Sequence, residues 1–137
     1  EFAARGGNKS KGYIFSGSDN LSEAGWYWDN IPSQNSSNSG YGAQPVGQKK
    51  ANELGIYDMS GNVWEWCSDW YGSYSTGLIT DPVGPSSGSD RVIRGGGWYN
   101  YSQICRVAIR SYATPSSGNG DLGFRVAFDS SSLALQE

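Results

Sequence analysis

The side chains that carry most protein chemistry are few in this chain. None of its 137 residues is histidine, which removes imidazole as a general base, a proton shuttle or a metal ligand. The two cysteines, Cys67 and Cys105, do not form a CxxC pair, so a zinc site built from thiolates is excluded. They could form one disulfide or be buried separately, and the sequence leaves both open. An activity that depended on carboxylates would have to use residues such as Asp58, Glu65 or Asp69.

Charge and composition limit the class of partner. The formal net charge of −3 provides no cationic field that would attract nucleic acid or an anionic membrane. No apolar run approaches the length of a membrane span, so direct membrane insertion is not expected. Aromatic residues make up 14% of the chain, which also contains 20 glycines. This composition predicts a single domain with a core of large flat side chains, joined by turns and loops.

The elements that must position these side chains are short. A Ser-Gly-Asn turn at 60–62 precedes a segment, 64–70, in which tryptophans recur at the spacing of one strand face. A short buried segment is predicted at 26–28, and surface loops are predicted at 30–44 and 72–90 from their polar, Gly- and Ser-rich composition. Further strands are predicted at 13–15, 91–94, 105–110 and 123–128.

All basic residues beyond position 50 are arginines. A basic patch is one interpretation. Arginine also bridges carboxylates and backbone carbonyls in fixed geometry, which holds loop-rich folds together. We therefore expect these arginines to have structural roles, and we expect the tryptophans and tyrosines between 57 and 71 to belong to the core.

Three motifs, in this order, carry a resemblance to a known family. They are the segment 55–70 (Gly-Ile-Tyr-Asp-Met-Ser-Gly-Asn-Val-Trp-Glu-Trp-Cys-Ser-Asp-Trp), Arg91-Val92-Ile93-Arg94-Gly95-Gly96-Gly97-Trp98, and Gly123-Phe124-Arg125-Val126. The combination resembles the formylglycine-generating-enzyme, or sulfatase-modifying-factor, family. This implies an α+β, loop-rich C-type-lectin-like fold of the formylglycine-generating-enzyme type, with little regular secondary structure. It also implies one domain over 1–128, preceded by an upstream part of the family's domain, and we expect the Ser-rich segment 129–137 to be a flexible tail.

The family's catalytic apparatus has no match here. Its oxidases convert a sulfatase cysteine to an aldehyde with a redox-active cysteine pair that binds copper. Those cysteines shortly follow the element that here is Gly95–Trp98, and the place of the first falls on Asn100 or a neighbour. Cys105 begins a Cys-Arg-x-Ala element and resembles a structural position. One thiol cannot supply a bis-thiolate copper site, so neither the oxidase nor copper is expected. A second branch of the family uses iron held by histidines, which this chain lacks.

The resemblance also implies one structural calcium ion. In the oxidases a calcium is held around the Gly-Asn-x-Trp-Glu turn by oxygen ligands, as its chemistry requires. The matching ligands here are the side chain of Asp58, the carbonyls of Gly61 and Val63, and the carboxylate of Glu65. The alternative is that the two carboxylates pair with arginine or accept hydrogen bonds from backbone amides.

Residues of a restricted set of types lie between the elements that match the family. Most of these types can be reached by changing the adenines of an Asn codon, although Gln103 does not fit this scheme simply. The layout resembles the variable proteins that retroelements diversify by adenine-directed mutagenesis of surface residues. It implies a ligand-binding surface within 99–121, with Tyr99, Asn100, Tyr101 and Tyr112 near its centre. The residues implied are Tyr99, Asn100, Tyr101, Ser102, Gln103, Ile104, Ile109, Ser111, Tyr112, Ala113, Thr114, Ser116, Ser117, Asn119 and Asp121.

The functional expectation is therefore a non-catalytic ligand-binding protein, diversified by a retroelement, on a bacterial cell surface or secreted. Its partner would be a protein or cell-surface ligand that the sequence does not identify, and the oligomeric state stays open. Tyrosine, serine, asparagine and glycine are the residues of versatile binding loops. The alternatives are a formylglycine-type oxidase or another enzyme of the family, and a structural or regulatory domain of a larger bacterial protein.

Overall fold

Regular secondary structure is sparse. The computed structural model describes residues 1–74, 76–80 and 82–127. Turns and loops make up most of these residues, which confirms the loop-rich α+β class; the predicted tail at 129–137 lies outside them. The elements, in chain order, are a 3-10 helix at Gly7–Lys9, α1 at Leu21–Ala24, β1 at Trp64–Trp70, β2 at Arg91–Arg94, a 3-10 helix at Ser102–Ile104, β3 at Arg110–Ala113 and β4 at Leu122–Gly123.

The four strands form one mixed sheet with the order β3-β2-β1-β4. β1 pairs antiparallel with β2, β2 pairs antiparallel with β3, and β4 pairs parallel with β1. β2 coincides with the predicted strand 91–94, and β1 contains the tryptophan motif. Both predictions are confirmed. Trp64, Val92 and Ile93 are buried, so the central strands contribute directly to the core. The expectation that the tryptophans and tyrosines between 57 and 71 belong to the core is wrong for the exposed Tyr57 and Tyr71, and Trp66 and Trp70 are half-buried.

The Ser-Gly-Asn turn contacts the backbone that follows α1. A Cβ on Gly25 would lie 1.8 Å from the carbonyl oxygen of Ser60, and one on Gly61 would lie 2.3 Å from that of Trp26. The carbonyl of Trp26 accepts a hydrogen bond of 2.7 Å from the amide of Asn62. The two backbone segments approach so closely that only glycine fits at both positions.

A small core cluster lies beside this contact. α1 is a single turn that buries Leu21 and Ala24. These side chains pack with Phe15 and the fully buried Cys105, and Tyr27 covers one side of the cluster. The core therefore joins α1 to the segment that precedes β3.

The strand predicted at 105–110 is wrong except for its last residue, where β3 begins. A turn closes this segment, with the amide of Ile109 donating to the carbonyl of Arg106 at 2.9 Å. Cys105 and Val107 are buried while their neighbours are exposed, so the alternation of burial is real. This alternation occurs without a β-strand, because no neighbouring strand pairs with 105–109 in the described residues.

The strand predicted at 123–128 is also mostly wrong. β4 ends at Gly123, and the described residues that follow it form no strand. Phe124 and Val126 are 76% and 88% exposed. Among the described residues, β4 lies at the sheet edge with β1 as its one strand neighbour, and the exposed apolar residues after it have no strand to pair with there.

Two smaller predictions also need correction. The segment 13–15 is not a strand; only Phe15 forms an isolated bridge, to Ser18 across a tight turn. The segment 26–28 is half-buried rather than buried. The predicted loop at 30–44 is confirmed, and the described residues of the second predicted loop, 72–90, are likewise without helix or strand.

The arginines hold loops together, as expected from their chemistry. Arg94 donates to the carbonyl of Ile109 at 2.8 Å, and Arg110 donates to the carbonyl of Gly72 at 2.8 Å. Arg125 pairs with a carboxylate of β1. These contacts cross between segments far apart in sequence, which is the structural role the sequence predicted.

Candidate functional site

The segment 99–121 has three parts. The first contains the 3-10 helix at 102–104, the second is β3 at one edge of the sheet, and the third is the turn-rich connection to β4. Tyr99, Tyr101 and Tyr112 are 56%, 60% and 54% exposed. The structure therefore places three tyrosine side chains of the predicted surface where a partner could reach them.

Tyr99 is held by an aromatic cluster. Its ring meets Trp28 edge-on at a centroid distance of 5.2 Å and Trp98 at 5.4 Å. Tyr41 packs against Trp98 at 4.8 Å, and the indole nitrogen of Trp98 donates to the carbonyl of Gly120 at 3.1 Å. Trp98 is buried and connects the first and third parts of the segment. Tyr99 is thus fixed in position while more than half of its surface stays free.

Asn100 has a structural role. Its side-chain oxygen accepts from the backbone amide of Gly97 at 2.9 Å, and its backbone amide donates to the backbone carbonyl of Gly97 at 3.0 Å. Its carbonyl accepts from the amide of Trp28 at 3.0 Å. Asn100 therefore closes the turn that presents Tyr99 and Tyr101, and its place near the centre of the contact surface stays a prediction.

Tyr112 belongs to a second aromatic group. On β3 it lies opposite Val92, and its ring packs against Tyr71 at a centroid distance of 4.5 Å. The guanidinium of Arg110 lies 4.4 Å from the centre of the Tyr71 ring. Among the aromatic contacts of the described residues, none joins Tyr112 to Tyr99, so the predicted surface has two separate aromatic positions.

The remaining predicted residues divide by exposure. The hydroxyls of Thr114 and Ser117 are 2.8 Å apart and close the turn after β3, and the carbonyl of Asp121 accepts from the amide of Trp64 at 2.7 Å. Gln103, Ile104, Thr114, Ser116 and Asn119 are exposed, whereas Ser102, Ile109, Ser111, Ala113, Ser117 and Asp121 are half-buried.

Of the four residues predicted to hold calcium, Asp58, Val63 and Glu65 line a cavity of about 510 Å³ beside β4, and Gly61 does not line it. Asp58 is buried in a left-handed conformation, with φ of 57°. One of its carboxylate oxygens accepts from the amide of Gly47 at 2.7 Å. The other, Oδ1, is buried and has no hydrogen-bond partner among the described residues. Asp58 therefore presents an unsatisfied acceptor of the kind a hard cation requires.

Glu65 is already paired. Both of its oxygens accept from the guanidinium of Arg125, with a distance of 2.7 Å from Nε to Oε2. The same guanidinium donates to the carbonyl of Asp58 at 3.1 Å. The hydrogen bond to Glu65 raises the pKa of Arg125. In the described residues no three Cys, Asp or Glu side chains cluster in a way that could hold a metal ion. Asp58 thus fits a cation, and Glu65 would have to share its charge with Arg125.

The two thiols are free. Burial raises the pKa of Cys105 to about 12, and burial likewise raises the pKa of the half-buried Cys67. Both are protonated at neutral pH. They form no disulfide with each other.

Residues 1–130 match the family described as the sulfatase-modifying factor enzyme 1-like domain. The formylglycine-generating enzyme of Streptomyces coelicolor is 40% identical over 140 residues, covering 94% of this chain and 44% of that protein. The chaperone protein LppX of Paenibacillus barcinonensis is 39% identical over 141 residues, covering 92% of this chain and 45% of that protein. The chain thus spans less than half the length of these relatives.

Solved structures show the same fold. Treponema denticola variable protein 1 superposes with a TM-score of 0.73 at 39% identity, over 89% of this chain and 42% of that one. The expected fold of the formylglycine-generating-enzyme type is therefore confirmed. None of the helices in the described ranges is long and apolar enough to cross a membrane.

Proposed function

We propose that this chain, which belongs to the sulfatase-modifying-factor family, is a non-catalytic ligand-binding domain whose contact surface lies within 99–121. The observation that carries the proposal is the presentation of Tyr99, Tyr101 and Tyr112. Each is more than half exposed, and Tyr99 and Tyr112 are packed against other aromatic rings. Tyrosine provides a large contact area at a low entropic cost, and packing reduces that cost further.

The same arrangement supports diversification of this surface. Asn100 and Trp98 are held by backbone hydrogen bonds, whereas Gln103, Thr114 and Ser116 are exposed. Exposed loop residues on a rigid scaffold can change without disturbing the core. Similarity to a protein called a variable protein supports the same interpretation. We propose that a retroelement diversifies this segment, and that the protein acts on a bacterial surface or after secretion, where it can meet an external protein or surface ligand.

The competing function is oxidation of a cysteine to formylglycine, which the similarity to formylglycine-generating enzymes favours. Protonated, separately placed thiols support the non-catalytic reading: Cys105 is fully buried and Cys67 is half-buried. The experiment is to incubate the protein with copper(I), oxygen and a cysteine-containing sulfatase peptide. We expect no aldehyde product by mass spectrometry; turnover above that of copper alone would overturn the proposal.

Binding itself is tested by display. One library varies Tyr99, Tyr101, Gln103, Tyr112 and Ser116, and a matched library varies the same number of exposed residues around 22–23 and 35–37. We expect the first library to stay folded and to yield binders to unrelated protein targets, because its positions share a rigid support. Equal yields from both libraries, or loss of folding in the first, would contradict the assignment of the surface.

We also assign one structural calcium ion to the cavity beside Asp58, held by that side chain with the carbonyls of Gly61 and Val63 and a shared Glu65. The support is the unpaired, buried Oδ1 of Asp58. Calcium at a hundredfold excess over its dissociation constant would stabilise the fold by about 2.7 kcal/mol. We expect calcium, but not magnesium, to raise the melting temperature, and Asp58→Asn to abolish the effect while the exposed control Asp29→Asn retains it. No shift in millimolar calcium would exclude the site.

A further inference from the structure

A second cavity, of about 790 Å³, lies between one face of the sheet and the described residues of the segment 73–85, which leave out 75 and 81. Its volume is within the range of small-ligand sites. Its floor combines Cys67 and Asp69 of β1 with Arg94 of β2 and Arg110 of β3, which share one face of the sheet. No residue that lines this cavity is among those proposed to vary. The cavity therefore shares no lining residue with the positions proposed to vary, but it adjoins Tyr112, because its Arg110 contacts Tyr71 and Tyr71 packs against Tyr112.

The floor carries two like charges in register. Arg94 and Arg110 are direct partners across β2 and β3, so their side chains emerge side by side. Like charges in this position destabilise a sheet unless an anion lies nearby. Among the ion pairs of the described residues, Arg94 has one partner, Glu1, at 3.3 Å, and Arg110 has none.

Glu1 makes a weak contact with Arg94. The Nη1 atom of Arg94 that faces Glu1 already donates to the carbonyls of Ile109 at 2.8 Å and Ala108 at 3.2 Å, and the Glu1 contact is the longest of the three. The carboxylate of Glu1 also pairs with Arg5 at 2.7 Å. Glu1 is thus a replaceable carboxylate that a ligand could displace.

The two arginines are preorganised. Arg110 lies between the rings of Tyr71 and Tyr74, at 4.4 and 4.7 Å from their centres, and donates to the carbonyl of Gly72. The hydroxyl of Tyr74 lies 3.4 Å from Nη2 of Arg94. Stacking fixes the planar guanidinium, so little entropy is lost when it binds an anion.

We propose that this cavity binds a carboxylate group, in the place that Glu1 now occupies, with Arg94 and Arg110 as the recognising cations. Among the described residues that line the cavity, the side-chain charges of Glu1, Asp69, Arg94 and Arg110 sum to zero, and displacement of the Glu1 side chain leaves one net positive side-chain charge. The carboxylate belongs to a small organic acid or to an acidic side chain of a bound protein. The site goes beyond the proposed function and does not depend on it.

Cys67 provides a built-in probe. It lines the cavity, and the other thiol, Cys105, is fully buried. Iodoacetate and iodoacetamide both transfer a carbon to the thiolate sulfur and release iodide, but only iodoacetate carries a carboxylate. The rate with iodoacetate divided by the rate with iodoacetamide does not depend on the pKa of the thiol, because both reagents react with the same thiolate. We expect this ratio to be several-fold higher in the native chain than in the chain unfolded in urea.

Two variants test the charges. Arg110→Gln should return the ratio to its unfolded value, and Arg91→Gln, which loses an arginine stacked on Trp70, should not. Glu1→Gln should raise the ratio several-fold, whereas Glu23→Gln, the same charge change near Lys50, should leave it unchanged. Circular dichroism checks that each variant is folded. A native ratio equal to the unfolded ratio, or no response to Glu1→Gln, overturns the proposal.

Two competitors distinguish the sources of the carboxylate. Succinate and a capped Glu-containing pentapeptide are each tested for protection of Cys67 against iodoacetamide. Protection by succinate assigns the site to small acids, and protection by the peptide alone assigns it to protein side chains. If neither slows the reaction at 10-fold or greater excess over the reagent, the cavity is not a carboxylate site.

Discussion

Asn62 is the residue through which the Ser-Gly-Asn turn is joined to the rest of the fold. It is buried and has a φ of 65°. Its side-chain oxygen accepts a hydrogen bond of 2.8 Å from the backbone amide of Gln44, and its side-chain nitrogen donates one of 3.0 Å to the backbone carbonyl of Gln44. Its own carbonyl accepts from the amide of Trp98. One side chain thus ties the loop at 44 to the turn, and its backbone ties the turn to the aromatic cluster.

Two substitutions of Asn62 separate the contribution of its side-chain hydrogen bonds from the cost of its positive φ. Asn62→Ala should lower the free energy of unfolding by about 2–4 kcal/mol, because two buried polar groups lose their partners. Asn62→Gly loses the same hydrogen bonds but tolerates the positive φ, so it should be about 1 kcal/mol less destabilised than the alanine variant. Urea denaturation at pH 7 measures the difference. A glycine variant less stable than the alanine variant would contradict this account of the turn.

Cys105 should make stability depend on pH in the alkaline range. In the folded chain its pKa is about 12, whereas the ordinary value is 9.0. Above pH 9 the unfolded chain loses this proton and the folded chain keeps it. The contribution is therefore complete below pH 9 and is lost as the pH rises to about 12. Three units of pKa correspond to about 4 kcal/mol.

The measurement is the slope of unfolding free energy against pH, between pH 8.5 and 10.5, for three proteins. Wild type should lose stability more steeply than Cys105→Ala, and the half-buried control Cys67→Ala should remain close to wild type. Parallel slopes for wild type and Cys105→Ala would mean that the thiol ionises without cost in the folded chain.

At the scale of elements, sheet neighbours decide which predicted strands form. β1 and β2 have partners on both sides and were predictable from their side chains. The segments 105–110 and 123–128 have equally good alternation, yet in the described residues only Arg110 of the first and Gly123 of the second pair with a strand. Periodicity reports which residues are apolar, but hydrogen bonding between strands depends on contacts distant in sequence, which a single sequence does not contain. α1 could not be predicted because four residues are too few for a helical period.

The contact between the turn and the segment after α1 is the element-scale feature that should tolerate least change. Gly25→Ala would place a methyl group 1.8 Å from the carbonyl oxygen of Ser60, so the two backbones would have to separate. We expect a loss of more than about 3 kcal/mol, at the extreme end for a single substitution. Gly55→Ala is the matched control, since a Cβ there meets nothing within 4 Å but the residue has a left-handed φ of 78°, whereas Gly25 is extended at φ −161°. Thermal unfolding of the two variants separates close approach from strain; equal losses would contradict the close-approach argument.

Across the whole molecule, the sequence identified the segment that forms the candidate surface but not the role of each residue. Exposure of Tyr99, Tyr101 and Tyr112 agrees with the prediction. The structural role of Asn100 was not predicted: its side-chain oxygen closes a turn, and asparagine has the same composition signal in a turn as in a contact surface. The cavity with Arg94 was not predicted either, since it depends on strand register and on a loop that folds over the sheet.

The central claim is that residues within 99–121 form a changeable contact surface on a constant scaffold, and the most direct measurement is to sequence this gene and its neighbourhood in many clonal isolates. The account predicts a nearby reverse transcriptase with a template repeat, and substitutions confined to the exposed positions, with Trp98, the Asn62 turn and the cavity arginines unchanged. An invariant 99–121 segment without a template repeat, or substitutions spread evenly over the scaffold, would contradict it.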